Sequence, residues 1–370
     1  MAQVITPKFK YNIIRIIPFG LIWLFIGLLF TISEALLPNT HNPEDPIDIA
    51  LTLPVFIFAT LAQTFLGLLV GVIETLILQK RFLGYSFLSK ITIKFLIYMA
   101  LILAAICITY PIAAAMGAGL SITDDEVWIK TGGFLLSSLF FNAIVQLSFQ
   151  IFMSLIYSAI SENLGHSVLL NFFTGKYHSP VVERRIFMFL DMKGSTTIAE
   201  SLGHVKYFEL LGAYYDLMSD PIINHLGEVY QYIGDEVVVT WKADQGFENN
   251  NCLRCFFEIR RNLQLKQERF MKRFGVIPEF KAGMHIGEAT TGEIGALKKE
   301  IVFVGDVLNT AARIQGMCSE HHTDLIISDE LRSGLQDQEG QDMFETQPLG
   351  DIRLKGKAGG VELYSVKEKS

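Results

Sequence analysis

The chain has 370 residues, 50% of them hydrophobic and 19% charged, with a formal net charge of −7. That apolar fraction is too high for an ordinary soluble enzyme and prompts a search for membrane spans, while the acidic balance gives nucleic-acid binding no electrostatic support. Cys107, Cys252, Cys255 and Cys318 lack the spacing of a disulfide framework, and the Cys252/Cys255 pair, with no second pair or spaced His cluster, reads as two thiols on a helix.

In chain order, the apolar excess lies in the first half. A bilayer core takes about 20 mostly apolar residues per helix, and residues 16–37, 53–78, 95–116 and 132–156 meet that requirement. The first stretch is too long for a signal peptide and has no small-residue cleavage site, so it is expected to remain as an anchor. Lys8, Lys10 and Arg15 precede the first span, Lys80, Arg81, Lys90 and Lys94 separate the second from the third, and Lys176, Arg184 and Arg185 follow the fourth. The other two loops carry "NPEDPID" and "ITDDE". By the positive-inside rule both termini face the cytoplasm of a cell-membrane protein. Glu74, with Gln63 and Gln146 behind it, is the costly polar residue inside the spans; its place just before Lys80 and Arg81 favours an interfacial or helix-packing role over a transport path.

Residues 161–185 read as a helical extension of the fourth span, a break near residues 175–180, and entry into a strand. The expected organisation is a membrane domain over 1–160, a linker or coupling segment over 161–185 and a soluble domain over 186–370.

In the soluble part "RIFMFLDM" reads as a buried strand, "TIAESLGHVKYFELLGAYYDLMSDPIINHL" as one or two amphipathic helices, and "GEVYQYIGDEVVVTW" as two strands around a tight turn. A long helix is expected over 251–272, then strand, turn and strand in "EFKAGMHIGEATTGEIG", then a helix with Asp306 as its N-cap. This order predicts an α+β domain with a central antiparallel sheet.

A ferredoxin-like pairing would bring Asp191, at the end of the first strand, and Asp235, in the hairpin turn, to one edge. Two carboxylates there suit Mg²⁺, which shares phosphate oxygens with a substrate. The following turn, Lys193, Gly194, Ser195 and Thr196, can offer backbone N–H groups and a helix N-terminus to phosphate. Neither "FTGKYHS" nor "GEATTGEIG" has nucleotide-motif spacing, and both read as turns. Asn309 and Arg313, four apart on a predicted helix, share one face and can hold a ribose and a phosphate.

Together these residues resemble the catalytic domain of class III nucleotidyl cyclases, the adenylyl and guanylyl cyclases, over about residues 180–368. The resemblance rests on "FLDMKGST", "YIGDEVV", "GMHIGEATTGEIG", "VGDVLNTAARI" and "RLKGKAGGVELYSV", in the family's order. It implies a multi-pass α-helical membrane domain followed by an α+β cyclase domain with a βαββαβ core, as in membrane-anchored bacterial members. It further implies that Asp191 and Asp235, with the Met192 carbonyl, bind two Mg²⁺ (or Mn²⁺) ions. Asn309 would orient the ribose, Arg313 would stabilise charge on the α-phosphate, and Lys355 would hold the terminal phosphates. Lys281 stands where the family often has a phosphate-contacting Arg, keeping the charge but losing bidentate geometry. The family's cleft lies between two catalytic domains, so the implied active species is a head-to-tail homodimer.

At the base-recognition positions this chain has Gln231 and Val302, where adenylyl cyclases usually carry Lys and Asp or Thr and guanylyl cyclases Glu and Cys. Val302 offers no side-chain hydrogen bond, and the Gln231 amide can match adenine or guanine. The resemblance implies a membrane-bound adenylate cyclase that makes cyclic AMP from ATP. The alternatives are a guanylate cyclase using GTP, an inactive nucleotide-binding signalling protein, or a diguanylate cyclase, whose doubled glycine is missing.

Overall fold

A computed structural model describes residues 6–36, 53–82, 84–118, 120–335, 343–354 and 359–369. The chain divides into two compact units, one over Tyr11–Phe173 and one that holds Thr174–Ser370.

The first unit is helical: α1 (Pro7–Leu36), α2 (Leu53–Ile73), α3 (Phe87–Ala118), α4 (Asp125–Leu135), α5 (Ser138–Leu164) and α6 (His166–Thr174). Four helical stretches are long and apolar enough to cross a membrane: Pro7–Ser33, Thr60–Leu78, Phe87–Ile112 and Ser138–Leu164. Their number agrees with the sequence reading and their limits differ from it. The third helix begins at Phe87, so Lys90 and Lys94 lie in its first turns and not in a loop. The fourth apolar run is interrupted, because Leu136 ends α4 and the Ser137 hydroxyl caps α5 by accepting from Phe140 N–H. The joint breaks twice, first at Gly165 (φ 85°) between α5 and α6 and then at Gly175 (φ 65°).

Several polar groups in this unit are buried and pair with one another, as burial requires. Trp23 Nε1 donates to Ser154 Oγ at 2.9 Å, and the amides of Gln146 and Gln150 both approach Gln63 Oε1. Glu74, at the start of a π-helical turn over Glu74–Leu78, is buried. It accepts from Lys94 Nζ, from Tyr98 Oη at 2.9 Å and from Ser158 Oγ at 2.9 Å, tying α2, α3 and α5 together.

The second unit is built on β1 (Val181–Met192), α7 (Ser195–Leu202), α8 (His204–Asn224), β2 (Glu228–Ile233), β3 (Glu236–Lys242), α9 (Ala243–Phe247), α10 (Asn251–Leu265) and α11 (Gln267–Phe274). It continues with β4 (Phe280–Ile294), β5 (Glu300–Val304), α12 (Asp306–Met317), β6 (Leu325–Ser328), α13 (Asp329–Arg332), β7 (Phe344–Ile352) and β8 (Val361–Glu368). The strand order is β2-β3-β1-β4-β6-β8-β7, with β5 paired to β4, and β4–β6 is the parallel pair. The segment β2-β3-β1-β4, with helices after β1 and β3, is the expected ferredoxin-like βαββαβ core.

Strand β1 is apolar from Ile186 to Leu190, where both faces of the sheet are covered. Ile186, Met188 and Leu190 enter a core with Leu210, Tyr214 and Leu217 of α8 and Leu253 and Phe256 of α10. Phe187 and Phe189 point the other way, to Val307 and Ala311 of α12.

Three local expectations need correction. "EFKAGMHIGEATTGEIG" holds no internal turn: β4 is one strand of 15 residues, and Gly287 and Gly292 stay in its ladder. Gly287 is glycine because Val307 of α12 stands 3.0 Å from where a Cβ would be. The predicted helix over 251–272 is two helices that part at Lys266, whose backbone leaves the helical region (φ −105°, ψ 9°). Asp306 is the first residue of α12 and not its N-cap; Gly305 takes that place, and Asp306 Oδ2 accepts from Thr310 Oγ1 at 3.2 Å.

Candidate active site

The register places the two acidic positions together. Leu190 pairs with Val237, so Asp191, one residue on, and Asp235, two residues before Val237, reach the same end of the sheet. Gly234 turns the hairpin with φ 64°, a conformation glycine adopts without a Cβ penalty, and its carbonyl accepts from Tyr215 Oη. The Asp191 and Asp235 carboxyls are close enough there to influence each other's ionisation. Burial, then the Asp235 carboxyl, push the Asp191 pKa above the ordinary carboxylate range, while Lys281 and Gln315 pull it down in part.

Lys281 lies opposite Asp191 in the β1–β4 register; its Nζ stands 3.6 Å from Asp191 Oδ2 and donates to Ser319 Oγ at 3.0 Å. Gln315 Nε2 donates to the same Asp191 oxygen at 3.1 Å. Met192 turns its side chain into the core, leaving only its backbone for the site. Gly194 (φ 64°) is the N-cap of α7, and Ser195 and Thr196 open that helix. Lys193 Nζ is held by Asp324 Oδ1 at 2.6 Å and Glu279 Oε2 at 3.3 Å. Burial alone would lower the Lys193 pKa, but these two carboxylates raise it overall.

Three tyrosines of α8 come under the electrostatic influence of the carboxylate pair. Burial, then the charges of Asp191 and Asp235, raise the Tyr214 pKa, and Tyr215 is pushed up to about 12 by burial and then Asp235. Tyr207 is raised by burial and Asp235, against a hydrogen bond with Ser195. Sequence reading missed these residues and Gln315; the seven- and eight-residue spacing of Tyr207 to Tyr214 and Tyr215, which returns to one helix face, was the available signal.

Other expected residues make no hydrogen bond or ion pair with the aspartates among the described residues. Among the described residues, Asp191 takes a hydrogen bond from Gln315 and an ion pair from Lys281, and neither Asn309 nor Arg313 makes such a contact with it. Asn309 is exposed and Arg313 half-buried on α12. Gln231 is exposed on β2 at a bulge after Val229, and Val302 is half-buried on β5 opposite Gly292. Their sequence neighbours meet: the Tyr230 and Phe303 rings stand edge to face at 4.9 Å, and Phe303 N–H donates to Tyr230 Oη at 3.4 Å. Lys355 lies outside the described residues.

The donor set fits a divalent cation. Asp235 Oδ2 is buried with no hydrogen-bond partner, and the Asp191 carboxyl is disfavoured as an anion by burial and by Asp235. A hard cation relieves both, and one or two carboxylates suffice for Mg²⁺ that also binds phosphate. Among the described residues no cluster of three or more His, Cys, Asp or Glu competes for that role. Cys252 and Cys255 are buried in α10, and burial pushes the Cys252 thiol up to about 12, which leaves it protonated and a poor metal ligand.

The family model for the adenylate and guanylate cyclase catalytic domain matches residues 180–368. Adenylate cyclase 2 of Rhizobium meliloti (strain 1021) is 33% identical over 207 residues, which cover 56% of this chain and 56% of that protein. Adenylate cyclase 1 of the same strain is 30% identical over 185 residues, 48% of this chain and 27% of that protein. The match thus spans about half or less of these relatives' own length. The solved structure of a bacterial light-regulated adenylyl cyclase shares the fold with a TM-score of 0.52 at 21% identity, covering 63% of this chain and 67% of that one. The matched residues contain the sheet, both aspartates and α12, and the chain belongs to the adenylate and guanylate cyclase catalytic domain family.

Proposed function

We propose that this chain is a membrane-anchored adenylate cyclase that converts ATP to cyclic AMP and pyrophosphate as a head-to-tail homodimer. The observation that carries the reading is the Asp191–Asp235 carboxylate pair, with a buried, unpartnered Asp235 oxygen at the end of the sheet. The preference for ATP rests on the relatives named adenylate cyclase.

Asp191 and Asp235, with the Met192 carbonyl, would hold two Mg²⁺ or Mn²⁺ ions. Bound there, the metal would lower the pKa of the attacking hydroxyl and neutralise charge on the triphosphate. The ribose 3′-oxygen attacks the α-phosphorus in line and loses its proton; the bond to the β-phosphate oxygen breaks and pyrophosphate leaves. Asn309 would orient the ribose and Arg313 would donate to the α-phosphate as negative charge develops. The turn from Gly194 to Thr196, Lys281 and Lys355 would bind the phosphates; Lys193 would have to be released first, since its N–H donates to the Glu279 carbonyl at 2.8 Å and its ammonium is engaged by Asp324 and Glu279.

Helix geometry supports sharing of the site between two chains. Gln315 faces Asp191 of its own chain. At about 100° and 1.5 Å per residue, Arg313 is about 160° round the helix from it, and Asn309 about 9 Å along the axis. Arg313 is therefore turned from its own chain's carboxylates and available to those of a second chain. In the membrane half, the basic residues before the first span and between the second and third favour cytoplasmic termini, with residues 161–185 joining anchor to catalytic domain.

The Gln231 amide, which can donate or accept, supports GTP as a second substrate. The test is to incubate the purified chain with Mg²⁺ or Mn²⁺ and ATP or GTP and to identify the product. Cyclic AMP is expected; linear nucleotides alone, from a folded dimer, would overturn the reading.

A further inference from the structure

The contact between α12 and β1 raises a separate question, because a residue with no assigned role touches a proposed metal ligand. Gln315 is 7% exposed, and its amide nitrogen donates to Asp191 Oδ2 at 3.1 Å. Lys281 Nζ approaches that same oxygen at 3.6 Å. Two neighbours on one oxygen define the rotation of the carboxylate about its Cβ–Cγ bond and direct its second oxygen away from them.

The backbone makes this contact possible. Gly283 of β4 lies beneath α12, and a Cβ there would stand 2.2 Å from Gln315 N and 2.7 Å from Ala311 O. These are backbone atoms, so a side chain at 283 forces the helix off the strand. With glycine, α12 rests against the sheet, and Gln315 reaches one strand further, from above β4 to the end of β1.

We infer that Gln315 positions Asp191 for divalent-metal binding, holding one carboxylate oxygen so that the other is presented to the ion. The inference rests on the reading of Asp191 and Asp235 as metal ligands. A neutral amide suits this task better than a second cation: it donates one hydrogen bond to the carboxylate and adds no positive charge to repel the metal. Gln315 acts through Asp191 and touches neither substrate nor reacting atoms. The role has an added consequence because Gln315 shares a rigid helix with Asn309 and Arg313. Through one helix, the orientation of the metal carboxylate is tied to the position of the pair proposed to act on the transition state.

The test uses the full chain in detergent, titrated with Mn²⁺ and with Mg²⁺ without nucleotide, and follows the metal-induced thermal shift. Gln315→Met keeps length and burial and removes the donor; Gln315→Asn keeps the amide and withdraws it by one methylene. Groups that orient metal ligands typically account for about 10–100-fold in metal affinity. Each variant is expected to need at least about tenfold more metal for half-saturation, with a metal-free Tm close to that of the wild type. Unchanged half-saturation in either folded variant overturns the inference, since a purely structural amide would alter the metal-free Tm alone. If the wild type shows no saturable shift that Asp191→Ala abolishes, the metal-site reading fails as well, which separates the two failures.

Discussion

Lys281 stands directly opposite Asp191 across the antiparallel β1–β4 pair, with its ammonium 3.6 Å from the carboxylate oxygen Oδ2. A fixed cation beside a proposed metal ligand has two opposed effects: it lowers the cost of ionising Asp191 and it repels an incoming metal.

Lys281→Met is therefore expected to tighten metal binding without nucleotide and to weaken nucleotide binding. Two unit charges about 4 Å apart interact by about 1 kcal/mol even at the dielectric constant of water, so the metal affinity should rise roughly fivefold or more. The KM for the nucleotide should rise, because a cation for the phosphates is lost. Metal titration by thermal shift and steady-state kinetics measure the two effects separately.

The proposed sharing of an active site between two chains predicts complementation. Asp191→Ala would lack the proposed metal carboxylate and Asn309→Ala the proposed ribose contact, so each chain alone should be inactive. Mixed as heterodimers, they form one site with both defects and one with neither. The mixture should recover up to about half the wild-type activity per heterodimer, the share of one intact site in two. No recovery in a mixture shown to contain heterodimers would exclude a site built from both chains.

The raised pKa of Asp191 predicts the pH dependence of metal stabilisation. Burial and Asp235 favour the protonated carboxyl in the folded, metal-free protein. The resulting contribution to stability is present below the unfolded-state pKa and is lost as pH rises through the higher folded-state value. A bound cation favours the ionised form. The Tm increase produced by Mg²⁺ should thus be largest at neutral pH and shrink as pH falls through the raised Asp191 pKa. In Asp191→Asn the increase should be small and nearly independent of pH.

In the helical unit, Glu74 and Lys94 are both buried and paired. Removing one partner leaves an uncompensated buried charge, which costs about 3–5 kcal/mol. Lys94→Met should destabilise the protein in detergent by about that amount. Adding Glu74→Gln should recover most of the loss, because the amide oxygen can accept from one of the Tyr98 and Ser158 hydroxyls, the amide nitrogen can donate to the other, and no charge remains. Thermal unfolding of the single and double variants compares them directly.

Local pattern made much of this protein legible in its sequence. The uninterrupted apolar run of β1 follows from burial of both sheet faces, and the turn around Gly234 and Asp235 needs only the few residues that form it. The four apolar helices were readable from length and composition alone. Their limits were less so, since Lys90 and Lys94 continue a helix once Glu74 and Glu162 are there to pair with them. Gly287 of β4 looked like part of a turn because its reason, the close approach of Val307 of α12, lies some 20 residues further along the chain.

The residues around Asp191 show the same division. Asp191 and Asp235 could be paired in advance because strand register is a short-range regularity that carries both to one sheet end. Gln315 could not be read that way: it lies 124 residues from Asp191 and meets it only because Gly283 lets a helix settle on the neighbouring strand. The Lys193 N–H looked able to reach phosphate until the fold gave it the Glu279 carbonyl at 2.8 Å. The sequence alone determined which chemical groups the protein has and which segments carry them, because propensity and periodicity act over a few residues. The tertiary structure decided which groups face each other, because hydrogen bonds and ion pairs act over a few ångströms and take no account of distance along the chain.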